Sequence, residues 1–535
     1  MIKKTPSPAV SKFMSSLKER QEFTQPPHLI IQALAGTGKT STLVEGLKVL
    51  AGQTPRFTPS EEQQAIWESM LLSKKAESFA FVAFNSSVAE ELKSQVPSSC
   101  EAMTNHQLGN RAIKSAYGKL KLDTKGYRVL RQFCQVYGTS VEKILEDNRD
   151  MVSVVKNVFA LCKLLLIDKL TPDLLEEICE TYCFETDLEI NQAILNCFDE
   201  TLALAKTPEK DGWYDFNDMI WLPVVNDLPL TKYDLLLVDE SQDLNACQQE
   251  LVKRSGSRLI LVGDEHQAIY GFAGADSSAM KHLRGELESS EQGCDVLSLT
   301  MTRRCGKAIV KEAQSFVPEY KAHESNPEGK ISYMNFDTKD YRNFVVPGDR
   351  VICRLNAPLI GECFKLMKLG HKVHVLGRDL GKVLKKRIKL LMQGVQGLTS
   401  KQEIETLISK VREWSQAEIE KEEKRKKPRE GILIMIQDRE ECLINFAINS
   451  SSIKDVLKRI DEVFDDSTSG GILLSTIHKV KGLESNRVFF IEPKGATVPH
   501  PMAKSKDQIA AENNLRYIAQ TRAIRELVYV HHKNK

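Results

Sequence analysis

HLIIQALAGTGKTSTL, His28 to Leu43, is the stretch whose reading decides the fold. His28–Ala33 is a short apolar run of the kind a buried strand needs, and Thr40–Leu50 continues as a helix. Between them lies a glycine turn, so the order is strand, loop, helix. Gly36 and Gly38 let the backbone pass close to a ligand, which turns amide N–H groups toward phosphate oxygens. Lys39 is placed to reach a β- or γ-phosphate, and the Thr40 hydroxyl to bind a divalent ion. Ala35, Gly36, Thr37, Gly38, Lys39, Thr40 and Ser41 therefore form the candidate phosphate cradle. The leading glycine of the G-x-x-x-x-G-K-[ST] pattern is Ala33 here; the strand before and the helix after the loop carry the assignment instead.

Working outward, VDESQD at Val238–Asp243 supplies what the cradle lacks. The apolar run Leu235–Val238 delivers Asp239 and Glu240 to the carboxyl end of a strand, where ligands bind in open α/β sheets. Asp239 is the candidate carboxylate for magnesium, with Thr40. Glu240 is the candidate base that orients and deprotonates an attacking water. VGDEHQAIYGFAGA, Val262–Ala275, places Gln267 after another strand end, where a glutamine can sense a γ-phosphate, and Phe272 on the same loop. An exposed aromatic ring can stack on bases without sequence preference. The chemistry described is nucleoside triphosphate hydrolysis.

Bulk properties bound the rest. The 535 residues suggest roughly three or four domains. With 41% hydrophobic and 27% charged residues, the composition is that of a soluble globular protein. A net charge of +2 makes no case for nucleic acid by itself, so any basic track must be local. No apolar window reaches membrane-spanning length and MIKKTPSPAV is not followed by an apolar core, so neither a membrane partner nor a secretory signal is expected. The 12 cysteines are scattered; Cys179 and Cys183 lack a second pair or histidine to complete a zinc site, and reduced thiols in a cytoplasm-like compartment are expected.

Strand patterns recur at Phe79–Phe84, Leu235–Val238 and Leu259–Val262, and again at Val351–Arg354, Val373–Leu376, Ile472–Thr476, Arg487–Ile491 and Leu527–Val530. Strands alternating with helices predict parallel α/β sheets, and two such series predict two lobes. Residues 110–205 read as mostly helical. From Leu384 to Asp466 the strand pattern lapses: a stripe through Ile404, Leu407, Val411 and Trp414 predicts a helix, and the charge run Glu418–Glu430 predicts an exposed hinge or hairpin. Gly431–Ile436 is ambiguous between helix and strand.

The ordered series AGTGKT, FVAFNSSVAEEL, TNHQLG, DFNDMI, VDESQD, VGDEHQAIYGFAGA, TRRCG, STIHKVKGLES and NLRYIAQTRA resembles the UvrD/Rep/PcrA branch of superfamily 1 helicases, over residues 28–531. Within that branch it is similar to short phage-type members and to the helicase part of F-box DNA helicases. The resemblance implies two RecA-like parallel-sheet lobes of the P-loop NTPase class, with helical insertions in each. It implies a first lobe from 1–100 and 206–295, interrupted by a helical insertion at 101–205. A second lobe follows from 296–384 and 467–535, interrupted by a reduced insertion at 385–466.

The resemblance also implies roles. Lys39, Thr40, Asp239, Glu240 and Gln267 keep those given above. Arg304 and Arg522 match the arginines that reach the γ-phosphate, Glu484 matches a ribose-binding glutamate, and Arg303 stands where the family tyrosine stacks on adenine. Phe84, Asn85, Thr104, His106, Phe272, Arg354, Asn356 and His478 fall in motifs that touch single-stranded DNA or support its track. Phe272–Ala273 replaces the family's tryptophan–arginine pair, and Ser485 replaces an aromatic anchor. The adenine-reading glutamine has no counterpart upstream of the cradle; TPSEEQQAIW, Thr58–Trp67, offers Gln63 downstream instead.

The expectation is thus an ATP- and Mg2+-dependent DNA helicase. It would move 3′→5′ on single-stranded DNA and engage single-strand/duplex junctions, with hydrolysis at the interface of its two lobes. The alternatives are a translocase that strips proteins without processive unwinding, and an ATP-switched subunit of a larger DNA-processing complex. The 385–466 insertion is the candidate surface for a protein partner. A cytoplasmic location is expected, that of the host if the chain is phage-encoded, with the nucleus as the remaining alternative.

Overall fold

The computed structural model describes residues 26–532 apart from 148, 183, 185, 187, 270–278, 337–339, 425–427 and 466–469. It divides into two compact units, Met1–Thr300 and Met301–Lys535.

In the first unit, the strands among the described residues are β1 (His28–Ala33), β2 (Phe79–Ala83), β3 (Cys100–Thr104), β4 (Lys121–Leu122), β5 (Trp213–Tyr214), β6 (Tyr233–Val238), β7 (Gly256–Gly263) and β8 (Cys294–Leu299). Six form one sheet in the order β3-β2-β6-β7-β1-β8, and every pair in it is parallel. The side-chain period of two divides the strand residues between two faces. Leu29, Ile31, Leu235, Leu237, Ile260 and Val262 pack with Leu43, Leu47, Trp67 and Met70 on one side. Ile30, Leu236, Val238, Leu259 and Leu261 pack on the other with a core that runs into the helical insertion through Phe133, Phe159 and Phe198. Both faces are therefore covered, as all-parallel sheets require.

The insertion leaves the sheet after the helix Asn105–Tyr117 and returns through β5 and the helix Asp218–Val225. β4 and β5 pair with each other as a separate two-stranded ribbon. A buried ionic knot closes this return. Arg128 donates to Asp218 at 2.8 Å and to Asp211 at 3.0 Å, and Lys163 donates to Asp218 at 2.7 Å. Arg128, Lys163 and Asp218 are all fully buried.

In the second unit the strands are β9 (Met301–Thr302), β10 (Lys321–Ala322), β11 (Lys330–Asn335), β12 (Arg350–Cys353), β13 (Val373–Val375), β14 (Ile472–Thr476), β15 (Ser485–Glu492) and β16 (Ala523–His531). β9 and β10 pair alone; the others form a second six-stranded sheet in the order β11-β16-β15-β12-β14-β13, again parallel throughout. Between β13 and β14 the chain makes the helices Arg378–Leu391, Ser400–Glu423, Glu430–Ile448 and Ile453–Val463.

Two readings are corrected and one left open is resolved. Val296–Leu299, assigned above to the second lobe, pair with β1 as part of β8 and belong to the first sheet. Gly431–Ile436 is helical, within Glu430–Ile448. The charge run at 418–430 is not wholly exposed: Glu422 and Arg429 are buried at 3% and 6% and meet at 2.6 Å. Arg429 holds the start of one helix against the end of the other, because its backbone N–H also donates to Glu422 Oε1 at 2.9 Å.

Candidate functional site

The carboxyl ends of β1, β7 and β6 lie side by side in the sheet, and each ends in a loop that carries polar groups. After β1 the chain turns through Gly36 (φ 67°) and Gly38 (φ 84°), left-handed conformations that a Cβ disfavours. The turn feeds the helix Lys39–Leu50. Thr37 Oγ1 donates to Leu34 O at 2.8 Å and pins the loop. After β6, Glu240 is itself left-handed at φ 51°. A non-glycine residue held there is strained, and such strain clusters at functional sites.

These loops bring together the residues predicted from sequence. Thr40 Oγ1 donates to Asp239 Oδ2 at 2.7 Å. Lys39 Nζ donates to Glu240 Oε2 at 3.0 Å. Burial alone would lower the Lys39 pKa, but the carboxylates of Glu240, Asp239 and Asp264 outweigh it and hold the ammonium above its usual value. Asp239 is raised to about 6, first by burial and then by the neighbouring Glu240 charge. A carboxylate loaded in this way is relieved by a cation.

Magnesium fits this arrangement. It needs one or two protein oxygens and takes the rest of its octahedron from phosphates and water. Thr40 Oγ1 and Asp239 Oδ2 offer that pair, and no cluster of three or more His, Cys, Asp or Glu side chains able to hold a metal exists among the described residues.

Gln267 is buried beside the same loops and donates to Asp264 Oδ2 at 2.6 Å. Two residues that sequence reading did not single out complete the network. Gln242 Nε2 donates to Glu240 Oε2 at 2.6 Å, and its Oε1 accepts from Asp264 N at 3.0 Å. One side chain thus ties the base candidate after β6 to the sensor loop after β7. The crossing leaves no room at Gly263, where a Cβ would sit 2.5 Å from Gln242 Oε1 and 2.9 Å from Met280 Sδ. Gln242 lies inside VDESQD, but nothing local to that string announces a contact with residue 264.

The DNA candidates of the first unit occupy the other half of the sheet edge, at the ends of β2 and β3. Phe84 is 52% exposed. Asn85 and Thr104 act as helix caps, accepting from Val88 N at 2.9 Å and Gln107 N at 3.3 Å. His106 is pushed below its usual pKa by burial. Phe216, also passed over, is 50% exposed just before the helix Asp218–Val225. That helix packs against Asn105–Tyr117 so tightly that a Cβ on Gly109 would meet Met219 O at 2.0 Å. Phe272 lies outside the described residues.

Gln63 lies on the helix Glu61–Leu71, near the cradle: its Nε2 is 4.0 Å from where a Cβ on Gly38 would stand. The amide is engaged at both ends. Oε1 accepts from Ser60 N at 3.0 Å, and Nε2 donates to Thr42 Oγ1 at 3.0 Å. Trp67 Nε1 donates to Thr42 O at 2.8 Å, so this helix braces the cradle helix.

Within the second unit, Arg304 and Glu484 meet at 3.6 Å. Arg522 is 1% exposed, with its Nε donating to Ile518 O at 3.1 Å; burial and the charge of Arg304 lower its pKa. The fold of the second unit thus groups two arginines and one carboxylate, and Arg303 beside them is exposed. Ser485 Oγ donates to Gly348 O at 2.7 Å, which anchors the position by a hydrogen bond. Arg354 donates through Nε and Nη2 to Glu512 Oε1, at 3.0 and 2.9 Å. Asn356 Nδ2 donates to Asp438 Oδ2 at 2.9 Å. His478 is lowered to about 3 by burial and by the Arg354 charge, so it is neutral at physiological pH.

The model of the family described as UvrD/REP helicase N-terminal domain matches residues 16–288. The chain belongs to the UvrD/REP helicase family. Among curated relatives, it is similar to F-box DNA helicase protein 1 of Schizosaccharomyces pombe, 28% identical over 309 residues, covering 56% of this chain and 34% of that one. It is similar to ATP-dependent DNA helicase srs2 of the same organism, 23% identical over 458 residues, covering 75% of this chain and 47% of that one. It is also similar to ATP-dependent DNA helicase PcrA of Staphylococcus aureus, 27% identical over 220 residues, covering 37% and 29%. The chain spans less than half the length of each of these UvrD/REP-type relatives. No helix among the described residues is long and apolar enough to cross a membrane.

Proposed function

We propose that this chain is a Mg-ATP-driven motor that moves 3′→5′ along single-stranded DNA and separates duplex ahead of it. The observation that carries the reading is the junction of cradle and carboxylates, with Thr40 on Asp239 at 2.7 Å and Lys39 on Glu240 at 3.0 Å. The names of the relatives suggest the substrate class, and the resemblance to the UvrD/Rep/PcrA branch implies the direction.

Phosphate oxygens compete with Glu240 for the Lys39 ammonium. Nucleotide binding therefore draws Lys39 toward the β- and γ-phosphates and frees the Glu240 carboxylate for water. Glu240 accepts the water proton as its oxygen attacks the γ-phosphorus, and the bond to the β-phosphate oxygen breaks. Magnesium, held by Thr40 and Asp239, would neutralise the phosphate charge. Gln267, linked through Asp264 and Gln242 to Glu240, reports loss of the γ-phosphate to the loop that follows. Arg304 and Arg522 match the family arginines that stabilise charge on a transferred phosphoryl group, a role typically worth ~10³–10⁵ in rate. Phe84, His106 and Phe216 contribute to the strand-binding edge. The buried thiols suit a reducing, cytoplasm-like compartment.

ATP turnover with and without single-stranded DNA tests the proposal. Stimulation by the strand is expected, together with loss of at least about 10³ of the turnover in Glu240→Gln while ATP binding stays within a few-fold. Turnover indifferent to DNA would leave an ATP switch rather than a motor, and full turnover in Glu240→Gln would remove Glu240 as the base.

A further inference from the structure

The two-stranded ribbon of the first unit's insertion sets Lys121 opposite Trp213. Lys121 Nζ lies 5.5 Å from the Trp213 ring centre, and the Arg131 guanidinium lies 5.5 Å from the same ring. All three side chains reach solvent, Trp213 at 36%. Beyond the turn at Gly126, Lys156 stands 4.5 Å from the Tyr127 ring. Two aromatic–cation units thus flank one loop.

The charge on this face is not balanced as it is inside the insertion. Asp211 is taken up by Arg128, Gln132 and the Trp213 N–H. Asp123 is buried and pairs with Arg131 at 3.1 Å. Among the described residues Lys121 has no carboxylate partner, and Lys119 and Lys125 beside it are exposed. Lys121, with no carboxylate, attracts a polyanion, Arg131 keeps further N–H donors beside its bond to Asp123, and the aromatic plate between them offers what a base, unlike a protein anion, can use.

We propose that this ribbon is a second nucleic-acid contact. Lys121 and Arg131 take the phosphates of a single strand, and Trp213 packs against one of its bases. The contact is built on the ribbon of the insertion and not on the strand ends that carry the cradle and Phe84, so it goes beyond the motor reading.

Binding of a fluorescent oligothymidylate and of a blunt duplex to the full chain, without nucleotide and over a salt series, tests it. Trp213→Ala is expected to weaken oligothymidylate binding about tenfold. Lys121→Ala with Arg131→Ala is expected to lower the slope of log affinity against log salt by about 1.4, two phosphates at roughly 0.7 each on a single strand. Trp213→Phe, which keeps a ring, is expected to retain most of the affinity; it and the charge pair carry the test if Trp213→Ala fails to fold. Wild-type affinity in folded Trp213→Ala, an unchanged salt slope in the charge pair, or losses confined to the duplex would each overturn the proposal. DNA-stimulated turnover is read separately, so the motor reading and this contact can fail independently.

Discussion

Asp239 carries the clearest consequence at the scale of single residues. Its pKa of about 6 lies above the ordinary 3.8 because burial and Glu240 both oppose its charge. It therefore holds a proton at pH values where an exposed aspartate has lost one, and a bound cation must expel that proton. Calorimetry of Mg-ATP binding in buffers of different ionisation enthalpy should show about half a proton released near pH 6 that Asp239→Asn does not release. The difference between the two proteins should fade by about pH 8, where Asp239 is already ionised. Gly263 makes a steric prediction. A methyl group there meets Gln242, Met280 and Ser241 within 2.9 Å, so Gly263→Ala should destabilise the fold by about 1–3 kcal/mol. A lowered thermal midpoint with intact secondary structure would show it, and an unchanged midpoint would mean the loops yield at no cost.

At the scale of elements, the insertion of the second unit is joined to its sheet by a cap. Leu355, which precedes the helix Asn356–Lys368, supplies no side-chain cap. Asp438, from Glu430–Ile448, takes over by accepting from Ala357 N at 2.7 Å and Asn356 N at 3.3 Å. Asp438→Ala should cost about 1–2 kcal/mol in urea denaturation, and Asp438→Asn, which still accepts, markedly less. Equal losses for both would assign the effect to charge instead of capping. The ionic knot of the first insertion is a harsher case. Lys163→Met leaves Asp218 and Asp215 buried with one cation fewer, and breaking such a pair costs about 3–5 kcal/mol. A loss below about 1 kcal/mol would mean that solvent reaches the site.

On the scale of the whole molecule, each unit has its own sheet and its own buried core, so unfolding should not be two-state. Scanning calorimetry should resolve a van't Hoff enthalpy below the calorimetric one. Mg-ATP, proposed to bind at the cradle of the first unit, should raise the midpoint of at least one transition by mass action. Agreement of the two enthalpies would show that the units unfold together.

How much of this was legible beforehand follows from which interactions are local. The cradle was readable because a glycine turn, a lysine and a threonine act within a few residues, and the buried strands β1, β6 and β7 because each is a continuous apolar run. β3 (CEAMT), β8 (CDVLSL) and β11 (KISYMN) were missed because they are short or half-polar and become strands only by pairing with a neighbour. The motif order identified the family. Only tertiary structure decided that Gln242 bridges to Asp264 and that Gln63 braces the cradle helix. It alone also shows that Glu512 holds Arg354 and that Glu422 and Arg429 are buried. The sequence specifies what each side chain can donate or accept, but a partner dozens or hundreds of residues away is chosen by the packing that brings it within 3 Å.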